Sequence, residues 1–153
     1  MLYASLKTLH LLSIILWLGG MAFVLFFLRP ALSKLQPPER IGLMHEVLRR
    51  FFGAVSAAII IVLVTGVWMM VEFASGASGG GVRMPTSWIV MATLGLLMMA
   101  LYGHIRFVLY KRLQRAMVSG EWVAGGTALG SIRVWVLANL VLGVVIILVL
   151  MLQ

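Results

Sequence analysis

Residues 51–73 read FFGAVSAAIIIVLVTGVWMMVEF and carry a single charged side chain, Glu72, close to their end. A helix of this length rises about 35 Å, which is enough to cross a hydrocarbon core of ~30 Å. Buried strands and helices of soluble proteins are usually shorter. The stretch therefore predicts a membrane-spanning helix, and any polar residue inside such a span becomes a functional candidate because lipid makes it costly.

Three more stretches of this kind complete the chain: Leu2–Leu28, Trp88–Tyr110 and Leu129–Leu152. The chain is 63% hydrophobic and only 10% charged, far from the balance of a soluble protein. Four spans and their connections account for all 153 residues, so we expect one membrane domain over residues 1–153. The predicted fold class is all-α, an integral membrane four-helix bundle. Pro30 and then Pro37–Pro38 predict where the first helix and its extension end.

The basic residues predict the orientation of the bundle. Net charge is +8, and most of the Lys and Arg residues lie between spans one and two or between spans three and four. The remaining connection, Ala74–Ser87, is glycine-rich and carries only Arg83. The positive-inside rule then places both termini on the outer, periplasmic side of a bacterial inner membrane. This distribution favours anionic lipid headgroups over nucleic acid as partners.

Three histidines lie within or beside the spans. His10 shares a helix face with Trp17 and Met21, whereas His45 and His104 belong to the inner side. At ~1.5 Å per residue His10 and His104 differ in depth by more than 10 Å, so His45 is the easier partner for His104. The alternative for His10 is a simple hydrogen bond to a neighbouring helix. For His45 it is a solvated or headgroup-facing position, and for His104 it is snorkelling with local hydrogen bonding.

Methionines offer a second kind of ligand. The chain has eleven, and Met84, Met91 and Met98 follow a seven-residue spacing. Thioethers and imidazoles suit Cu(I). The chain has no cysteine, and none of its four Glu residues is central in a span, so neither a thiolate site nor a hard-cation cage is expected. Packing is the alternative role for the methionines. The candidate metal ligands are His10, His45, His104, Met21 and Met91.

The segment LKTLHLLSIILWLGGMAFVLFFLRPAL at residues 6–32 resembles the first helix of small CopD-family membrane proteins. The similarity continues, with looser motifs, through RRFFGAVSAAIIIVLVTG, ALYGHIRFVLYKRLQRA and IRVWVLANLVLGVV. The resemblance implies copper handling, usually copper passage across the inner membrane beside a periplasmic copper protein. Longer members carry extra helices, and this chain corresponds to the minimal four-helix part.

A more distant resemblance is to the HemJ type of haem-binding membrane protein, through His10, the Tyr102–His104 neighbourhood and Arg133. It implies haem b with His104 or His10 as axial ligand. The propionates of a haem would favour the arginine-rich inner side. The candidate cofactor-binding residues are then His104, His45, Arg49, Arg50, Arg106 and Arg133.

Three functions stay open at this point. The first is a copper-binding or copper-permeating module, and the second is a b-type cytochrome or membrane oxidoreductase with a redox partner. The third is an assembly subunit whose histidines only pack. A homodimer would bury a further face of so thin a bundle.

Overall fold

The computed structural model describes residues 1–76 and 85–152. Most of the predicted glycine-rich outer loop, with Arg83 and Met84, lies outside the described residues. Within those ranges the regular structure is helical throughout, and four continuous helices are long and apolar enough to cross a membrane. They are Leu2–Lys34, Pro37–Gly76, Thr86–Ser119 and Trp122–Met151. The predicted all-α membrane bundle is therefore confirmed.

The first and third of these helices each change their winding near one end. Helix α1 (Leu2–Phe23) is followed by a π-helical turn, Val24–Leu28, an α-helical turn, Arg29–Ala31, and a 3₁₀ turn, Leu32–Lys34. Helix α3 (Thr86–His104) passes through a π-helical turn, Ile105–Leu109, into α4 (Tyr110–Ser119). The other two helices, α2 (Pro37–Gly76) and α5 (Trp122–Met151), run without such a turn.

The π-helical turn before Pro30 explains why that proline does not end the first helix. The Arg29 N–H donates to the Val24 carbonyl, a bond that spans one more residue than an α-helical bond. Pro30 has no N–H to contribute, so it fits the start of the next turn. The chain turns extended only at Leu35, and the expectation placed on Pro30 was therefore wrong.

Helix α2 is much longer than a bilayer requires. Its 40 residues rise about 60 Å, roughly twice the hydrocarbon thickness. The segment before Arg50 simply extends the second span, with Ile41, Met44 and Leu48 buried on one side. On the other side Glu46 forms exposed ion pairs with Arg49 and Arg50, at 2.8 Å in each case.

The turn between α4 and α5 follows from one glycine. Gly120 has φ of 71°, a left-handed conformation that a residue without Cβ adopts at little cost. The N–H of Glu121 donates to the Ala116 carbonyl over 2.9 Å, which closes a Schellman-type C-cap. The third helix thus ends at Ser119, nine residues beyond the span predicted to end at Tyr110.

Small residues allow the helices to approach closely. Helix α1 packs mainly on α2, and α3 mainly on α5. A Cβ at Gly20 would overlap the Phe51 ring, and one at Gly143 would overlap the Leu18 side chain. Close packing through glycine is usual between membrane helices, where lipid provides no hydrophobic drive for association. These contacts fix the depth at which the polar residues of neighbouring helices meet.

Candidate functional site

The best-defined polar contact in the bundle joins α1 to α2. His10 is buried, with 8% of its surface exposed, and its Nδ1 lies 2.8 Å from Oγ1 of Thr65. The Thr65 hydroxyl donates to the Ile61 carbonyl over 2.6 Å, so its single proton is already engaged. Its oxygen therefore accepts from the His10 Nδ1–H. The hydrogen-bond network assigns this tautomer, which leaves the lone pair on Nε2.

The surroundings of the pair hold the ring in place. A Cβ at Gly66 would lie 3.4 Å from the His10 Cε1, so the glycine lets the imidazole rest against α2. One turn inward, Ser13 is buried and donates its hydroxyl to the Leu9 carbonyl. The orientation of the imidazole thus depends on α2, and above all on Thr65.

The methionine nearest in register to this pair on α2 is Met69, which the sequence places near the outer end of the second span but not among the candidate ligands. Met69 follows Thr65 by four residues, about 6 Å along the helix, and is buried on the same face of α2. Met21 is buried too, but it lies eleven residues from His10, about 16 Å along α1. Met21 is therefore too far along α1 to contact His10. Met91 belongs to α3, which packs mainly on α5.

The second histidine contacts a tyrosine at the basic end of the bundle. The rings of His45 and Tyr110 stack 5.2 Å apart and within 7° of parallel, and the Tyr110 hydroxyl lies 3.1 Å from Nε2 of His45. The guanidinium of Arg106 lies over the rings of Tyr110 and Phe52, at 5.1 and 5.9 Å. Such cation–π contacts anchor an arginine beside apolar surface. The sequence analysis did not identify Tyr110.

The third histidine has a different neighbour. The half-buried ring of His104 lies 5.0 Å from the ring of Trp135 on α5. His45 and His104, predicted to form one inner site, are thus held in separate contacts. Among the described residues no group of three or more His, Cys, Asp or Glu is placed to hold a metal ion. Copper coordination here would have to use methionine or rearranged side chains.

A third polar level lies between the ends of the bundle. The Tyr102 hydroxyl is 2.7 Å from both the Ser56 hydroxyl and the Phe52 carbonyl, and the Tyr102 ring packs edge-on against Trp17. On α5, Asn139 is 1% exposed, and its Oδ1 has no hydrogen-bond partner in the part of the chain that the structure describes. An unpaired buried carbonyl is uncommon, because burial removes its water.

The candidate haem-binding arginines are dispersed. Arg49 and Arg50 pair with Glu46, and Arg106 covers aromatic rings. Arg133 lines a cavity of about 20 Å³ together with Arg29, which is room for about one water molecule. Neither this cavity nor the contacts of these arginines in the described residues support haem b.

The fold and the buried histidine define a multi-pass helical membrane protein with a polar contact in its first hairpin. The chain belongs to the copper resistance protein D (CopD) family, whose family model matches residues 45–152. Searches of curated proteins and of solved structures gave no match. The family relationship predicted from the sequence is confirmed, and the family points to copper handling. The matched region includes His45 and His104 but not α1, which carries His10.

Proposed function

We propose that this protein binds Cu(I) through His10 in the bacterial inner membrane, either to hold copper or as a step in its passage across the membrane. The observation that supports it is the His10–Thr65 hydrogen bond. A metal-binding imidazole must be neutral, with one nitrogen free for the metal and the other held by a fixed partner. His10 meets that requirement because Thr65 accepts from Nδ1.

Met69 is the second ligand that we propose. Its thioether is buried one turn from Thr65 on the face that α2 turns to α1. Imidazole and thioether ligands match the soft character of Cu(I), whereas a hard cation would require oxygen ligands. The positive-inside orientation puts this site near the periplasmic surface, where a periplasmic copper protein would deliver or receive the ion.

The distances along α2 between its polar residues Thr65, Ser56 and His45 favour a binding site over a continuous pore. Thr65 and Ser56 are nine residues apart on α2, about 13 Å, and Ser56 and His45 are eleven apart, about 16 Å. Apolar side chains such as Val55 and Ala58 fill the bundle between them. Passage to the inner end, where His45 and His104 are the proposed ligands, therefore requires the helices to move apart.

The test is a Cu(I) titration of the detergent-purified protein under reducing conditions, against a chromogenic Cu(I) chelator. We expect His10→Ala to lose the tightest equivalent and Met69→Leu to weaken it. His104→Ala is the matched control and should retain it. Wild-type affinity in His10→Ala would overturn the proposed site, and a Soret band in the purified wild type would favour the haem alternative.

A further inference from the structure

A groove at the basic end of the bundle carries positive charge without a balancing carboxylate. It lies between the first helix, α2 and α5, with Arg29 and Arg133 among its lining residues. Arg40 also lies near enough for its charge to act on Arg29. Among the described residues the ion pairs are those of Glu46 with Arg49 and Arg50, so these three arginines have no acidic partner.

The guanidinium of Arg29 is held by one hydrogen bond, and its other N–H donors have no protein acceptor among the described residues. Its Nη1 donates to the Leu129 carbonyl over 3.1 Å, and the side chain is half-buried. A guanidinium has five N–H donors, so most remain available. Arg133 is exposed and follows Leu129 by one turn of α5. The two side chains thus present a fixed and a movable donor to the same place, which suits bidentate recognition of a phosphate.

The walls below these arginines are apolar and are formed by the residues Val24, Leu25, Met44, Leu48, Ile132 and Val136. Leu25 is half-buried and Arg133 is exposed, so the groove opens at its rim, whereas the other five wall residues are buried inside the bundle. A guest with a charged head would therefore meet the arginines at the rim, while its apolar body stays in the surrounding lipid.

The depth of the groove matches that of lipid headgroups. Residues 134–151, which follow Arg133, contain no Lys, Arg, Asp or Glu, and their helix rises about 27 Å. Residues 8–28, which precede Arg29, are equally free of these residues and rise about 31 Å. The uncharged stretches of the two helices are thus about as long as the hydrocarbon core is thick. Both arginines lie at the same end of these stretches, at the depth of the lipid phosphates.

We propose that this groove is a binding site for one anionic phospholipid. Its phosphate lies between Arg29 and Arg133, with Arg40 nearby, and its acyl chains lie outside the bundle, beside the half-buried Leu25. Charge complementarity identifies the occupant, because a zwitterionic lipid would bring a cation to three like charges. This proposal is independent of the copper site, since His10 lies at the opposite end of α1.

Native mass spectrometry in a mild non-ionic detergent tests this proposal, with phosphatidylglycerol and phosphatidylcholine of identical chains added in turn. We expect wild type to prefer phosphatidylglycerol about ten-fold or more. Arg133→Gln should abolish most of that preference without changing lipid-free stability, because Arg133 is exposed. Arg29→Gln/Arg133→Gln should remove it completely.

The matched control is Arg112→Gln/Arg115→Gln, which removes two exposed charges from α4, outside the groove. It should bind phosphatidylglycerol as wild type does. Equal binding of the two lipids by wild type, or equal loss in the control, would overturn the proposal. Competition by millimolar inorganic phosphate as effective as that by the lipid would also overturn it, because the site would then recognise a free anion. Cu(I) binding by Arg133→Gln, measured in parallel, should stay at the wild-type level.

Discussion

The His10 imidazole and the Thr65 hydroxyl lie 2.8 Å apart across the first helical hairpin, although 55 positions separate them in the chain. The Thr65 hydroxyl donates a hydrogen bond to the Ile61 carbonyl and so fixes which ring nitrogen of His10 is protonated. An uncharged threonine thus decides which ring nitrogen of His10 keeps its lone pair. Three of the predictions below concern polar groups that the fold brings together or buries.

Thr65→Val should weaken Cu(I) binding about 10- to 100-fold, because it removes the acceptor that orients the His10 ring. It should also lower the free energy of unfolding by about 1–3 kcal/mol, since the buried Nδ1–H loses its partner. Chelator competition and thermal unfolding measure the two effects. Thr65→Ser keeps the hydroxyl and should restore both; wild-type copper affinity in Thr65→Val would contradict the role given to this residue.

Gly143→Leu should destabilise the bundle by about 1–3 kcal/mol, because the added side chain overlaps Leu18 and approaches Met98. Gly53→Leu is the matched control, since an added Cβ there meets no atom within 4 Å. Thermal unfolding in detergent compares them. The prediction is wrong if the two variants unfold at the same temperature.

Asn139→Leu should leave the protein as stable as wild type or stabilise it by about 1 kcal/mol, because it replaces an unpaired buried carbonyl by an apolar group of similar size. Unfolding midpoints of the two proteins give the answer. A clear loss of stability would show that Oδ1 of Asn139 has a partner in solution, such as a bound water.

Tyr110→Phe should cost about 0.5–1.5 kcal/mol, because it removes the hydroxyl near Nε2 of His45 and keeps the ring. Tyr110→Leu should cost more, since the stack with His45 and the cation–π contact with Arg106 are lost as well. Chemical unfolding of the pair separates the hydroxyl from the ring. Equal destabilisation by both would contradict this division.

Both termini are expected on the periplasmic side, because the Lys and Arg residues gather in the first and third connections. The chain has no cysteine, so single-cysteine variants report topology directly. In intact cells Leu2→Cys should react with a membrane-impermeant maleimide, whereas Arg112→Cys on α4 should react only after the inner membrane is opened. The reverse labelling pattern would show that both termini lie in the cytoplasm and would contradict the prediction.

The sequence alone was sufficient for the class of fold, because a membrane span is a local property. Residues 51–71 contain no charged residue, and the length of that stretch sets the thickness that it can cross. Helix ends were predicted less well. Pro30 was expected to stop the first helix, but a neighbouring π-helical turn, a feature of backbone hydrogen bonding, accommodates it.

The tertiary structure decided which polar groups meet. Helical periodicity correctly placed His10, Trp17 and Met21 on one buried face. It gave no information on which neighbouring helix covers that face or at what height, and so did not pair His10 with Thr65. Contacts such as that of Gly20 with Phe51 set this height, and they join residues distant in sequence. The location in a membrane therefore follows from short stretches of the sequence. The candidate copper site, in contrast, depends on the register between packed helices.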